Sequence, residues 1–234
     1  MTTITTLREH PRKPGRYELE LATPAPDQHP SSVIRPAKLT VGIDLIAELK
    51  LKPGRQLSDG ELARLEAGAQ LLACYDKALA TLGARARSAA DLRRYLKTKD
   101  FTDEQITPTI EKLTALGLLN DLEYARTFAR ARMNPSRGLG PRRIAAELAR
   151  KGVARAIADQ VLGELADERA EQAEAAAERG EVTRSSAEEA AAKKIRSLKG
   201  LEPEVQKRRL YGFLARRGFS GAEISKAMRL LREG

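Results

Sequence analysis

The chain has 234 residues, with 42 Lys and Arg against 32 Asp and Glu, a formal net charge of +10, one cysteine and no tryptophan. A single cysteine excludes an intramolecular disulfide framework and fits a reducing compartment, and no apolar run approaches the roughly 18–20 residues of a membrane span. The opening MTTITTLREHPRKPGR lacks the apolar core of a signal peptide, so the expected location is the cytoplasm, with no membrane partner.

Residues 1–57 differ from the rest. Tyr17-Glu18-Leu19-Glu20-Leu21 alternates apolar and charged, and after Pro24, Pro26, Pro30 and Pro36 comes Leu39-Thr40-Val41-Gly42-Ile43, so two short strands are expected in an N-terminal extension, as a small hairpin or a mobile arm. From residue 58 the pattern is helical. Ser58-x-x-Glu61, Ser88-x-x-Asp91, Thr102-x-x-Gln105, Asn120-x-x-Glu123 and Ser220-x-x-Glu223 have capping-box spacing. Pro141 suits a first turn, and Gly83, Gly117, Gly152, Gly200 and Gly218 suit left-handed positions after helix ends. Nine helices follow, near 59–82, 89–98, 103–116, 121–133, 141–150, 154–165, 186–199, 203–217 and 221–232.

These helices fall into three groups of three. Leu148-Ala149-Arg150-Lys151-Gly152-Val153 returns as Leu214-Ala215-Arg216-Arg217-Gly218-Phe219, and more loosely as Leu96-Lys97-Thr98-Lys99-Asp100-Phe101. An apolar residue recurs four positions before each leucine (Leu92, Ile144, Leu210) and five after it (Phe101, Val153, Phe219), as expected of stacked helical repeats. The expected fold is mainly α: elongated tandem three-helix repeats behind a small N-terminal extension. Its expected layout is extension 1–57, repeat one 58–118, repeat two 119–165, an acidic Ala/Glu-rich spacer 166–185 and repeat three 186–234. Residues 166–192 carry −5 between blocks of +6 (80–165) and +8 (193–234). The spacer reads either as an exposed helical extension or as a flexible tether, in both cases setting the reach between repeats and binding nothing itself.

Catalytic signals are absent. His10 and His29 have no partner at zinc-ligand spacing, Gly138-Leu139-Gly140-Pro141 is a turn before a proline-started helix rather than a phosphate cradle, and Cys74 sits in an apolar helical pattern. The reading is a non-enzyme with no metal and no cofactor. The basic residues say more because they recur in position. Arg143 and Arg150 are seven apart, as are Arg209 and Arg216, each pair on a face away from the leucine stripe and flanked by Arg142, Lys151, Arg208 and Arg217. Arg93, Arg94, Lys97 and Lys99 in the first repeat break that pattern, and Arg85, Arg87, Arg126, Arg130, Arg132 and Arg137 extend the basic surface. All are candidate contacts to a polyanion or an acidic protein.

Three stretches carry a family resemblance: Ala78-Leu79-x-x-Leu82-Gly83-x-Arg85-x-Arg87-Ser88-x-x-Asp91-Leu92; Leu116-Gly117-Leu118-Leu119-Asn120-Asp121-x-x-Tyr124-Ala125; and Gly138-x-Gly140-x-x-x-Ile144-x-x-Glu147-Leu148-x-x-Lys151-Gly152. In this order they resemble the RecX family of recombination regulators, strongly over 58–165 and more loosely over 190–234. The resemblance implies a monomer that binds the RecA nucleoprotein filament, inhibits its recombinase, ATPase and co-protease activities, and thereby modulates DNA repair, recombination and the SOS response. It also implies contact with single-stranded DNA, with duplex DNA as a further partner. Asn120 replaces the family's more usual Asp, a harmless change at a helix cap, and the acidic spacer lengthens the link to repeat three. The alternative is a DNA-binding helical repeat protein acting directly on nucleic acid, with helix pairs such as 141–150/154–165 as helix-turn-helix units. Against it, the arginines lie mainly in the first helix of each pair.

Overall fold

In the computed structural model, which describes residues 2–22, 37–133, 138–181 and 183–231, the chain divides into two units, Met1–Arg85 with Arg93–Leu118 and Ala86–Leu92 with Leu119–Gly234. The first unit opens with an antiparallel sheet of order β3-β2-β1-β4, made of β1 (Thr2–Glu9), β2 (Arg16–Ala22), β3 (Ala37–Gly42) and β4 (Gln56–Leu57), with the short helix α1 (Ile43–Glu48) between the last two. The side chains on one face, Ile4, Leu19, Leu21, Val41 and Leu57, are buried together with Leu65 and Ala69 of α2 (Asp59–Ala84). The described strands of residues 1–57 are therefore no loose extension: an otherwise marginal set is stabilised by burying one face on a long helix. Lys13 Nζ and Arg16 Nη2 reach Asp76 of α2 at 3.0 and 2.9 Å. Burial pushes the Asp76 carboxyl up, but these hydrogen bonds outweigh it and hold it below its ordinary value.

Two expectations are corrected here. Thr2–Glu9 form β1 and residues 10–15 a turn, and Ile43 begins α1 with Gly42 as its N-cap instead of ending a strand. His10 is held in that turn, its Nδ1 accepting the Arg12 N–H at 3.1 Å. Pro24, Pro26, His29, Pro30 and Pro36 lie outside the described residues.

The helices group as expected: α2, α3 (Ala89–Lys97) and α4 (Asp103–Ala115); α5 (Asp121–Met133), α6 (Pro141–Arg150) and α7 (Arg155–Glu178); α8 (Ser186–Arg196), α9 (Pro203–Arg216) and α10 (Gly221–Ala227), closed by a 3₁₀ turn at Met228–Leu231. Reciprocal capping boxes start α2, α4 and α10, and a further one at Ser185/Glu188 starts α8. Asn120 Oδ1 accepts the Leu122 and Glu123 N–H groups at 2.9 and 3.2 Å, so Asn does cap α5.

The repeated six-residue line is a Schellman cap. In it the N–H two residues past the helix end bonds back five positions, while the residue before it turns left-handed. Phe101, Val153 and Phe219 donate to the carbonyls of Leu96, Leu148 and Leu214 at 3.4, 3.1 and 3.3 Å. The three leucines, and Leu92, Ile144 and Leu210 one turn earlier, are fully buried. The left-handed residue is Gly152 (φ 79°) or Gly218 (φ 86°), and in the first repeat Asp100 (φ 63°). Asp100→Gly is therefore expected to stabilise the protein by about 0.5–1 kcal/mol, since an L residue in this conformation costs roughly 1–2 kcal/mol and Asp bears the smaller share. Thermal melting checks this, and a midpoint at or below wild type would count against it.

Gly83 does not close a helix: α2 runs on to Ala84 and ends in extended backbone at Arg85 (φ −162°). More consequential, α7 continues thirteen residues beyond Leu165 and ends in its own Schellman cap at Gly180 (φ 74°), with Glu181 N–H donating to Ala176 O at 2.9 Å. Most of the acidic spacer is thus helix, as its Ala and Glu content permits. It also makes contacts of its own. Arg169 donates to Met133 O at 3.0 Å and to Ser186 Oγ, and Ala176 is buried.

One repeat docks on the next by backbone. Gly140, the residue before α6, donates its N–H to Arg217 O at 2.8 Å, and Arg142 N–H reaches Gly218 O at 3.3 Å. Ser88 holds the corresponding place before α3, and its Oγ donates to Lys151 O while accepting the Asp91 N–H at 3.1 Å. In both cases the start of a second helix sits on the Schellman turn of the following repeat.

Candidate nucleic-acid interface

The candidate cations differ sharply in what already holds them. In the first unit Arg85 is exposed at the end of α2, and Arg94 is exposed on α3. Arg93 and Lys97 both reach Asp103 at the start of α4, at 3.3 and 2.9 Å. The Lys97 hydrogen bond, with the Arg93 charge behind it, keeps the Asp103 carboxyl below its ordinary value. These two cations clamp α3 to α4.

In the second unit Arg87 pairs with Asp91 at 2.9 Å with its side chain only 9% exposed, which fastens the first turn of α3. Arg130 meets Glu168 at 2.8 Å, and Arg126 of the same helix meets Glu164 at 2.7 Å. The Arg126 hydrogen bond is the chief reason the Glu164 carboxyl is lowered. The acidic face of α7 therefore neutralises the basic face of α5. Arg132 lies over the Phe128 ring at 4.7 Å and pairs with Glu147 at 3.0 Å. Arg143 shares that same Glu147 at 3.4 Å. Arg217 lies over Phe213 at 4.5 Å and donates to Gly138 O at 3.2 Å, at the docking turn between repeats two and three. Lys151 is half-buried at the corresponding turn, and Arg137 lies outside the described residues.

In the second unit a smaller exposed set remains on the second helices of repeats two and three. Arg142 and Arg150 are exposed on α6, Arg150 with its Nε on Ala146 O at 3.4 Å. Arg208, Arg209 and Arg216 are exposed on α9, and none of the ion pairs among the described residues involves them. Beside them lies the half-buried Lys194 of α8, missed in the sequence, its Nζ 5.6 Å from the Phe213 ring centre.

Such an array can hold an anionic surface. Among the described residues no group of three His, Cys, Asp or Glu is placed to hold a metal ion, and no helix is long and apolar enough to cross a membrane. Cys74 is buried, and burial pushes its thiol up, away from the reactive thiolate.

Comparison with known proteins matches three consecutive family profiles to this chain. They are the RecX first three-helix domain at residues 74–113, the second at 120–162 and the third at 184–228. Regulatory protein RecX of Pelodictyon phaeoclathratiforme is 37% identical over 66% of this chain and 86% of its own, and that of Amycolatopsis mediterranei is 35% identical over 62% and 73%. Among solved structures, a crystal structure of regulatory protein RecX superposes with a TM-score of 0.72 over 100% of both chains at 22% identity. RecX from Lactobacillus salivarius gives 0.59 over 70% of this chain and 98% of that one, at 24% identity.

Proposed function

The chain belongs to the RecX family, and from that membership we propose that it regulates the RecA–DNA filament: it binds the filament and restrains its recombinase, ATPase and co-protease activities without catalysing a reaction itself. The observation that carries this reading is the run of three RecX domains in order, with unpaired arginines on α9 and exposed ones on α6. Several modest contacts on one chain add by effective concentration, so a tandem array suits a repeating filament better than a single small target. Differential affinity for one filament state then shifts RecA's behaviour with no chemistry on the regulator. The setting this implies is the bacterial cytoplasm, with the protein acting as a monomer.

The test is RecA's DNA-dependent ATPase and strand exchange on single-stranded DNA, titrated with the purified full chain. Inhibition is expected at substoichiometric to stoichiometric ratios. Unchanged RecA turnover together with base-specific binding of bare duplex would overturn the proposal and leave the protein acting directly on DNA.

A further inference from the structure

On α9, Arg208, Gly212 and Arg216 follow at i, i+4 and i+8 along one side, with Arg209 beside them. With Lys194 and Ser197 at the end of α8 they line a cleft of about 330 Å³, whose remaining lining residue is the buried Leu198. Four cations surround this hollow and no carboxylate does. Like charges held this close repel one another, so the arrangement favours an anion between them.

Repeat two provides the internal control. Arg142, Arg143 and Arg150 occupy the places of Arg208, Arg209 and Arg216. There Glu147 stands among them, taking Arg143 at 3.4 Å and Arg132 at 3.0 Å. Its counterpart in repeat three is Phe213, which carries Lys194 and Arg217 on its ring and neutralises neither. Arg143 is thus compensated in repeat two, while its counterpart Arg209 has no carboxylate beside it in the cleft of repeat three.

A second observation is independent of charge. Gly212 lies in the middle of α9, where glycine weakens a helix relative to alanine, and repeat two has Ala146 there. Helix packing does not demand this glycine. A Cβ at this position would meet only the far end of Arg216, Nη1 at 3.3 Å, and no backbone or neighbouring helix. The effect of the missing methyl is to deepen the floor of the basic cleft. Tyr211, three residues from Arg208 and so beside it on the helix surface, is 53% exposed.

We infer that the α8–α9 cleft of the third repeat is a phosphodiester site that takes the backbone of single-stranded nucleic acid, with Tyr211 as a stacking surface for a neighbouring base. Arginine forks fit phosphate oxygens, and an exposed ring next to a backbone site serves unpaired bases, whose faces are free. The biological setting rests on the filament reading above, but the chemistry stands on α8 and α9 alone.

The test is fluorescence anisotropy of a labelled oligo(dT) with the full-length chain, across a salt series. Gly212→Ala is expected to melt at or above the wild-type temperature yet to bind about fivefold more weakly, a split that mere loss of structure does not produce. Arg209→Gln with Arg216→Gln is expected to weaken binding more than about tenfold and to flatten the slope of log K against log salt by about 0.7 for each phosphate that the variant no longer neutralises. Tyr211→Ser should weaken binding without changing that slope. Arg142→Gln with Arg143→Gln, the repeat-two control, should have a much smaller effect. The inference is overturned if the wild type fails to bind oligo(dT) at low salt, or if Gly212→Ala and the α9 arginine pair bind it like wild type. If those same variants lose only RecA-filament capture, the cleft takes an acidic protein surface instead. If oligo(dT) binding depends on the cleft while RecA turnover is untouched, the phosphate site stands and the filament proposal fails.

Discussion

Gly140→Ala is expected to destabilise the second unit by about 1–3 kcal/mol or more, although its backbone (φ −80°) is one that alanine adopts freely. The whole penalty is steric. A Cβ at Gly140 would lie 2.4 Å from Gly218 C, 2.5 Å from Gly218 O and 2.5 Å from Phe219 N. All three are backbone atoms of the Schellman turn that ends α9, so no side chain can swing aside. The approach is reciprocal, because a Cβ on Gly218 would meet Arg143 N at 2.4 Å. Relief requires the two repeats to separate, which lengthens the Gly140–Arg217 and Arg142–Gly218 hydrogen bonds that dock them. Gly163→Ala is the matched control: it lies within α7 with open space around it, and there alanine should stabilise by up to about 1 kcal/mol. Thermal melts of the two variants, with amide exchange followed in α6, α9 and α10, decide the matter. If Gly140→Ala melts with Gly163→Ala and exchange at the docking turn is unchanged, the close passage of these backbones is wrong.

This glycine also marks a boundary of what the sequence reveals. Gly138-Leu139-Gly140-Pro141 reads correctly as a turn into a proline-started helix, yet the reason for glycine at 140 is a backbone 78 residues away. The repeat itself was legible because its chemistry is local: the Schellman cap needs a buried leucine, a left-handed residue and an apolar residue within six positions. Capping boxes were legible for the same reason. β1 was not, since its alternation is broken by a register shift between Ile4 and Thr6 and its burial depends on Leu57 and Leu65 far along the chain.

The acidic segment was ambiguous because Ala and Glu suit an exposed helix and a solvated chain alike. Arg169, bonded to Met133 O and Ser186, settles it as a packed helix. The basic residues were legible as cations but not in their attachments. Arg87, Arg132 and Arg217 serve the fold, held by Asp91, by Glu147 with Phe128, and by Phe213 with Gly138. One signal was present and overlooked. Aligning repeats two and three places Phe213 against Glu147, which sets Arg209 apart from the compensated Arg143.

Packing and electrostatics should separate cleanly in a second pair of variants. Leu148→Ala is expected to cost about 2–5 kcal/mol, the range for truncating a buried leucine. Its side chain is fully buried with Ile144, Val153, Val161 and Leu165, and its carbonyl accepts the Val153 N–H that closes α6. A cavity there loosens the Schellman turn that Ser88 grips through Lys151 O, so the damage extends to the start of α3. Replacing Arg143, Arg150, Arg209 and Arg216 together by Ser should leave helicity and melting nearly intact, because exposed substitutions usually shift stability within about 0.5 kcal/mol each. Arg143 pairs with Glu147, and that carboxylate keeps Arg132 when Arg143 is gone. Binding to RecA filaments or to single-stranded DNA should fall steeply in this quadruple variant and stay near normal in Leu148→Ala at temperatures where that variant remains folded. Circular dichroism melts beside filament co-sedimentation read both quantities. Equal loss of fold in the two variants would make the arginines structural, and the basic faces of α6 and α9 would then lose their claim as an interface.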